Sequence, residues 1–166
     1  MNPIGEGSVE CHISQVLLDQ TVIAVVDGVS KICGTPVRQD ETYTGCKNRE
    51  KVVGVISFVG DLMWTMALIL PHDSAEVMAE KFAGFHIPFE SLDMGDVVGE
   101  LINVLAGVLC GNLNEVGVSS QMSLPTVTRG NAFEIMLPES LVCKQFFFST
   151  DKSDFCVEIT AMKNFQ

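Results

Sequence analysis

Glu100 and Asn103 are the side chains whose types and spacing best suit chemistry at a surface; they stand three residues apart in DVVGELINVLAGVLCG. On a helix that spacing makes them neighbours on one stripe. The carboxylate accepts hydrogen bonds and pairs with a cation, whereas the carboxamide both donates and accepts. Together the two could hold a lysine and a water. Turning successive side chains by about 100° gathers Val97, Val98, Leu101, Ile102, Leu105 and Leu109 into one arc, which has to face the core. Asp96, Gly99, Glu100, Asn103 and Gly107 fall opposite, within an arc of about 100°. Each glycine costs about 1 kcal/mol against alanine in a helix interior. What is gained is close approach of another surface, either a partner or the first helix of the chain itself.

Stepping outward along the chain, the elements that hold this helix can be read from periodicity and punctuation. The run ISQVLLDQTVIAVVDGVSKIC, 13–33, is free of proline and is followed by Gly34 and Pro36, so it reads as a helix despite the β-branched cluster from Thr21 to Val26. Strands are expected over Thr35–Thr44, Val52–Val59 and Leu62–Leu70, the last two forming a hairpin at Gly60-Asp61. Asp73 with Glu76 has the spacing of a capping box for a helix SAEVMAEKFA that ends at Gly84. Asp93 is placed to cap the longer helix Met94–Cys110, with Gly111 and Asn112 as its exit. Strand-like segments follow at Val118–Val127, Ala132–Leu137, Val142–Ser149 and Phe155–Met162, with a second hairpin at Asp151-Lys152-Ser153. Long helix followed by strands, twice over, predicts an α+β domain with pseudo-duplicated halves spanning residues 1–166. No Pro/Gly/Ser-rich or charge-run linker divides it.

Composition narrows the classes of function. A hydrophobic fraction of 47% with 19% charged residues supports a folded core. The net charge of -11, with only ten Lys and Arg scattered along the chain, argues against nucleic acid and against anionic membrane surfaces. The start MNPIGEGSVE lacks a basic region followed by an apolar core, and charge-free stretches fall short of the roughly 20 residues of a membrane span. The six cysteines, Cys11, Cys33, Cys46, Cys110, Cys143 and Cys156, form no CxxC and read as reduced thiols of a cytoplasmic protein. His12, His72 and His86 form no HExxH pair, and neither GxSxG nor GxxxxGK[ST] occurs, which disfavours a conventional hydrolase or metalloenzyme. Trp64 and the Phe146-Phe147-Phe148 run read as core or interface. Three consecutive phenylalanines cannot share one side of a strand, so burial on both faces or a dimer contact is expected.

The stretch from Asp96 to Gly107 resembles the Glu-x-x-Asn helix of the CheC/CheX family of chemotaxis phosphatases, in which Gly-Glu-x-x-Asn-x-x-Ala-Gly is typical. The preceding VVGVISFVGDLMWTMALIL and SAEVMAEKFAG are similar to that family's strand pair and short helix, so order and spacing agree over roughly residues 50–113. The resemblance implies a CheC-like fold, long helices on a mainly antiparallel sheet, and a single-site, CheX-like member. The first helix offers Asp19 and Asp27 but no second Glu-x-x-Asn. It also implies a function: hydrolysis of the aspartyl phosphate of a CheY-like response regulator. Asn103 would orient the attacking water and Glu100 would pair with a partner lysine. No cofactor of the chain's own is implied, because Mg²⁺ is expected in the partner, and a homodimer is implied. Val108 stands where the family often has Asn, and Asn112 is displaced along the helix. The alternative is a flagellar-switch-like module that docks the phosphorylated regulator without hydrolysing it.

Overall fold

Nineteen residues, Gln15–Cys33, form α1. Leu17, Thr21, Ala24, Val25, Gly28, Val29 and Cys33 are its buried positions, a stripe of helical period that outweighs the strand preference of the β-branched cluster. The Thr21 hydroxyl, wholly buried, donates to the Leu17 carbonyl at 2.7 Å, so the core helix leaves it no unmet hydrogen bond. Gly34 ends the helix in the left-handed conformation at φ 62°. The computed structural model describes residues 14–42, 49–131, 136 and 138–162.

Among the described residues seven strands follow: β1 (Arg38–Gln39), β2 (Lys51–Gly60), β3 (Trp64–Pro71), β4 (Ser120–Met122), β5 (Thr126–Gly130), β6 (Leu141–Ser149) and β7 (Asp154–Met162). They form one antiparallel sheet in the order β1-β6-β7-β3-β2-β4, and β5 pairs with β2 beside β4. Both expected hairpins are present: β2 with β3 in the register Phe58↔Trp64, and β6 with β7 in the register Ser149↔Asp154. The two hairpins lie side by side through β3 and β7. A single strand over Val118–Val127 is not what forms. Pro125 cannot donate to a ladder, and the run breaks into β4 and β5 around it. There the Ser123 hydroxyl and backbone take over the pairing with Ser57, accepting at 3.0 Å and donating at 2.9 Å. The Thr35–Thr44 segment contributes only Arg38–Gln39; Tyr43, Thr44 and most of Ala132–Leu137 lie outside the described residues.

Two further helices complete the layer, α2 (His72–Ala83) and α3 (Asp93–Glu115). Neither begins as the capping signals predict. Pro71 precedes α2 and no side chain caps it, because Glu76 is used elsewhere: its carboxylate accepts the Phe89 N–H at 2.8 Å. Asp93 lies inside the first turn of α3, after Leu92, where its charge complements the helix dipole. The exit of α3 also lies later than Gly111. Leu113, fully buried, extends the apolar stripe of Leu105 and Leu109 by one more turn, and that burial outweighs the cost of a glycine. The helix stops where Gly117 takes φ 83°, its N–H donating to Asn114 O at 3.1 Å and that of Val118 to Leu113 O at 2.9 Å.

All three helices cover one face of the sheet. Ile56 and Phe58 of β2, Trp64 to Leu70 on alternate residues of β3, and Phe155, Val157 and Ile159 of β7 are buried against them. Trp64 stacks on Phe58 with ring centroids 3.5 Å apart, a core role. Phe146 and Phe148 point into the same core while Phe147, half-buried, points to the other face, as strand alternation demands. α3 is long and apolar enough to cross a membrane, yet its apolar side is spent on this core. It lies so close to β2 that a Cβ on Gly54 would stand 3.1 Å from Ile102 Cγ2 and 3.3 Å from Val98 Cγ1. Gly54→Val is therefore expected to cost about 1–3 kcal/mol in urea unfolding, overpacking outweighing its gain in strand propensity.

Candidate functional site

The inner side of α3 fixes what its outer side presents. Val98, Leu101, Ile102, Leu105 and Leu109 are fully buried, so the helix cannot turn about its axis without exposing them. Glu100 is consequently exposed and Asn103 half-buried, one turn apart. Among the described residues neither side chain has a hydrogen-bond or ion-pair partner. Asp96 and Gly107 share the exposed stripe, and Gly111 and Asn114 continue it. A Cβ on Gly107 or Gly111 would meet nothing within 4 Å.

The two glycines flanking the pair divide in role, and neither packs against α1. Gly99, expected on the outer arc, is buried: a Cβ there would lie 3.5 Å from Val127 Cγ2 and 3.7 Å from Pro125 Cγ, so it receives β5 and the loop before it. The close approach of α1 to α3 is made instead by Gly28, whose Cβ would come within 2.7 Å of Leu105 Cδ2. Gly107 is the open one. Val108 is half-buried and packs on the core, about 140° around the helix from Asn103, so the departure from the family pattern lies away from the carboxamide.

The approach to α3 is clamped. From β5, Arg129 donates to the carbonyls of Phe89 and, at 3.0 Å, Ser91, with its guanidinium 5.7 Å from the Phe89 ring. Phe89 is also fixed to α2 through Glu76, and its ring lies 4.3 Å from His72. Ser91 Oγ accepts the Asp93 N–H at 3.1 Å. Sequence reasoning did not single out Arg129, because the carbonyls it holds, and the Glu90 carboxylate it faces at 3.8 Å, lie some forty residues away and leave no motif. Arg129→Met is expected to lower stability by about 1–3 kcal/mol in chemical denaturation, by leaving these carbonyls without a donor.

Little else in the described structure offers chemistry. No group of three or more His, Cys, Asp or Glu among the described residues is arranged to hold a metal. His72 faces Glu50 at 3.9 Å and Glu76 at 3.7 Å, His86 is exposed, and His12 lies outside the described residues. Burial raises the thiols of Cys33 and Cys110, and burial with the nearby Glu158 carboxylate pushes Cys143 up to about 11. Such thiols are not nucleophiles at neutral pH. A cavity of about 230 Å³ lies between the start of α1, the β2–β3 turn and the end of β7, and neither Glu100 nor Asn103 lines it. Among the described residues the pair sits on an open stripe, where a Cβ on Gly107 meets nothing within 4 Å, an arrangement suited to a macromolecule bringing its own site.

Comparison with known proteins bears on the fold and the family. The family profile described as chemotaxis phosphatase CheX matches residues 52–149. No curated protein matches the chain. Among solved structures, a CheC-like superfamily protein from Shewanella sp. PV-4 superposes with a TM-score of 0.76 at 18% identity, covering 89% of this chain and 98% of that one. A chemotaxis protein CheX from Desulfovibrio desulfuricans gives 0.70 at 22% identity, with coverages of 86% and 97%. CheX in the CheX–CheY–BeF3–Mg complex from Borrelia burgdorferi gives 0.71 at 14% identity, with coverages of 89% and 98%. The sheet and long helices are those of the CheC-like fold, and since the profile spans more than half its length, the chain belongs to the CheX family of chemotaxis phosphatases.

Proposed function

We propose that this protein hydrolyses the aspartyl phosphate of a CheY-like response regulator, with Asn103 orienting the attacking water and Glu100 pairing with a lysine of the regulator. The observation that carries the reading is the pair itself: two exposed or half-exposed polar side chains, unpartnered among the described residues, on the open stripe of a helix that cannot rotate. That a CheX from Borrelia burgdorferi forms a complex with CheY supports the choice of partner.

The chemistry asks little of the chain. The regulator is expected to supply the phosphoryl group, its Mg²⁺ and the lysine, so this protein needs no cofactor of its own. The carboxamide of Asn103 holds one water in line with the bond between phosphorus and the aspartyl oxygen. Water oxygen bonds to phosphorus, the acyl P–O bond breaks, the regulator's carboxylate is regenerated and inorganic phosphate leaves with the water's protons shared between it and solvent. The Glu100 carboxylate fixes the docking register through a charge-assisted hydrogen bond. α1 carries exposed Asp19 and Asp27 in place of a second Glu-x-x-Asn, so one site per chain is proposed. Cytoplasmic location and a homodimer belong to the same reading, through the family.

The test is the decay of acyl phosphate on a cognate regulator with and without this protein, alongside the affinity for the regulator loaded with beryllium trifluoride. Acceleration supports hydrolysis. Binding that leaves the phosphoryl lifetime unchanged replaces it with the docking-module reading.

A further inference from the structure

Leu92 and Leu124 are 87% and 88% exposed, an extreme for leucines in a folded domain. Single exposed apolar residues are common, but these two differ in being held on pinned backbone beside the same surface. Leu124 lies on the β4–β5 loop, where Ser123 bonds to Ser57 of β2 and to the Leu124 carbonyl, and where Pro125 rests against Gly99, the neighbour of Glu100. Leu92 follows Ser91, whose carbonyl Arg129 clamps, and its own carbonyl accepts the Gly95 N–H at 2.9 Å. Its backbone is already helical (φ -66°, ψ -33°), which places it on the same side of α3 as Asn103.

We propose that Leu92 and Leu124 are apolar anchors that seat the response regulator on α3, and that they set which regulators are accepted by requiring apolar side chains beside the phosphorylated aspartate. This inference rests on the proposed function. Its scale is set by interface size: a stable complex covers about 800 Å² on each partner, a disc of about 16 Å radius. Leu92 is eight residues from Glu100, about 12 Å along the helix axis, and Leu124 adjoins Pro125 against Gly99. A disc of that size centred on Glu100 reaches Leu92, and Leu124 adjoins the same stripe through Pro125 and Gly99. Electrostatics outside the Glu100–lysine pair does not favour that docking, since Asp93 and Asp96 line the same stripe of a chain with net charge -11 and the incoming phosphoryl group is anionic. Burial of apolar side chains held in place beforehand supplies affinity without that repulsion and at small entropic cost.

Leu92→Ala, Leu124→Ala and the double variant test it, with the dissociation constant for the beryllium trifluoride-loaded regulator, kcat and KM as readouts. Each single change is expected to raise Kd and KM about five- to tenfold and the double change about fiftyfold, at unchanged kcat. The melting temperature should hold, because both side chains are already in water. A double variant whose Kd stays within about twofold of the original overturns the proposal, as does one that dissociates a homodimer without altering regulator affinity. The two readings fail separately. Wild-type protein that binds without hydrolysing removes the phosphatase function while Kd still decides the anchors. Loss of turnover in Asn103→Ala, with Kd and KM untouched in the leucine variants, removes the anchors and keeps the function.

Discussion

Asn103→Ala is expected to abolish the acceleration of dephosphorylation, a fall in kcat of about a hundredfold or more, while the affinity for the regulator stays close to that of the original protein. The reasoning is geometric. An attack in line with the breaking bond tolerates little misplacement, and the Asn103 carboxamide, beside Glu100, can hold a water by donating and accepting at once. Half-burial narrows the rotamers Asn103 can sample, which lowers the entropic cost of fixing its amide once the partner arrives. Glu100→Ala should behave differently, weakening binding about tenfold or more through loss of a charge-assisted pair with a smaller effect on turnover of the bound complex. Steady-state kcat and KM for the two variants, with a direct binding measurement, separate the roles. A loss of kcat from both, with affinity intact in both, would contradict the assignment of Glu100 to docking. Neither variant touches the fully buried core, and alanine is the better helix former at both positions, so unfolding midpoints should hold or rise slightly.

How much of this was legible in the sequence depends on the kind of signal. The inner and outer faces of α3 were, because burial of Val98, Leu101, Ile102, Leu105 and Leu109 follows from spacing alone and dictates where Glu100 and Asn103 must point. Both hairpins and the left-handed stops at Gly34 and Gly84 were legible for the same local reason. Signals whose meaning depends on a distant partner misled. Glu76 has the spacing of a capping box, yet Phe89, thirteen residues on, claims its carboxylate. Gly99 counts by angle as an outer residue and is buried because Pro125 and Val127 come to it. Gly111 looks like a helix exit, but the core reaches as far as Leu113 and carries the helix with it. Arg129 left no trace, since backbone carbonyls are acceptors in every sequence. The pair itself was found from its stripe; its chemistry came from the resemblance, and the structure adds that the surface around it is open.

That openness is what Gly107→Gln tests. Two effects of this substitution have opposite signs, which is what makes it informative. Within the folded protein a Cβ at 107 meets nothing within 4 Å, so the change from glycine to a good helix former should raise stability by about 0.5 kcal/mol. In the complex the same side chain stands one turn beyond Asn103, on the exposed stripe where the regulator's surface has to lie. Lifting that surface by even an ångström separates the water from the phosphoryl group, and kcat/KM is expected to fall by about a hundredfold. A variant that unfolds at higher denaturant but no longer shortens the phosphoryl lifetime would locate the contact on this stripe. One that gains stability and keeps full activity would mean that the partner approaches Asn103 from the side of the β4–β5 loop alone, and that the glycine at 107 is not needed for docking.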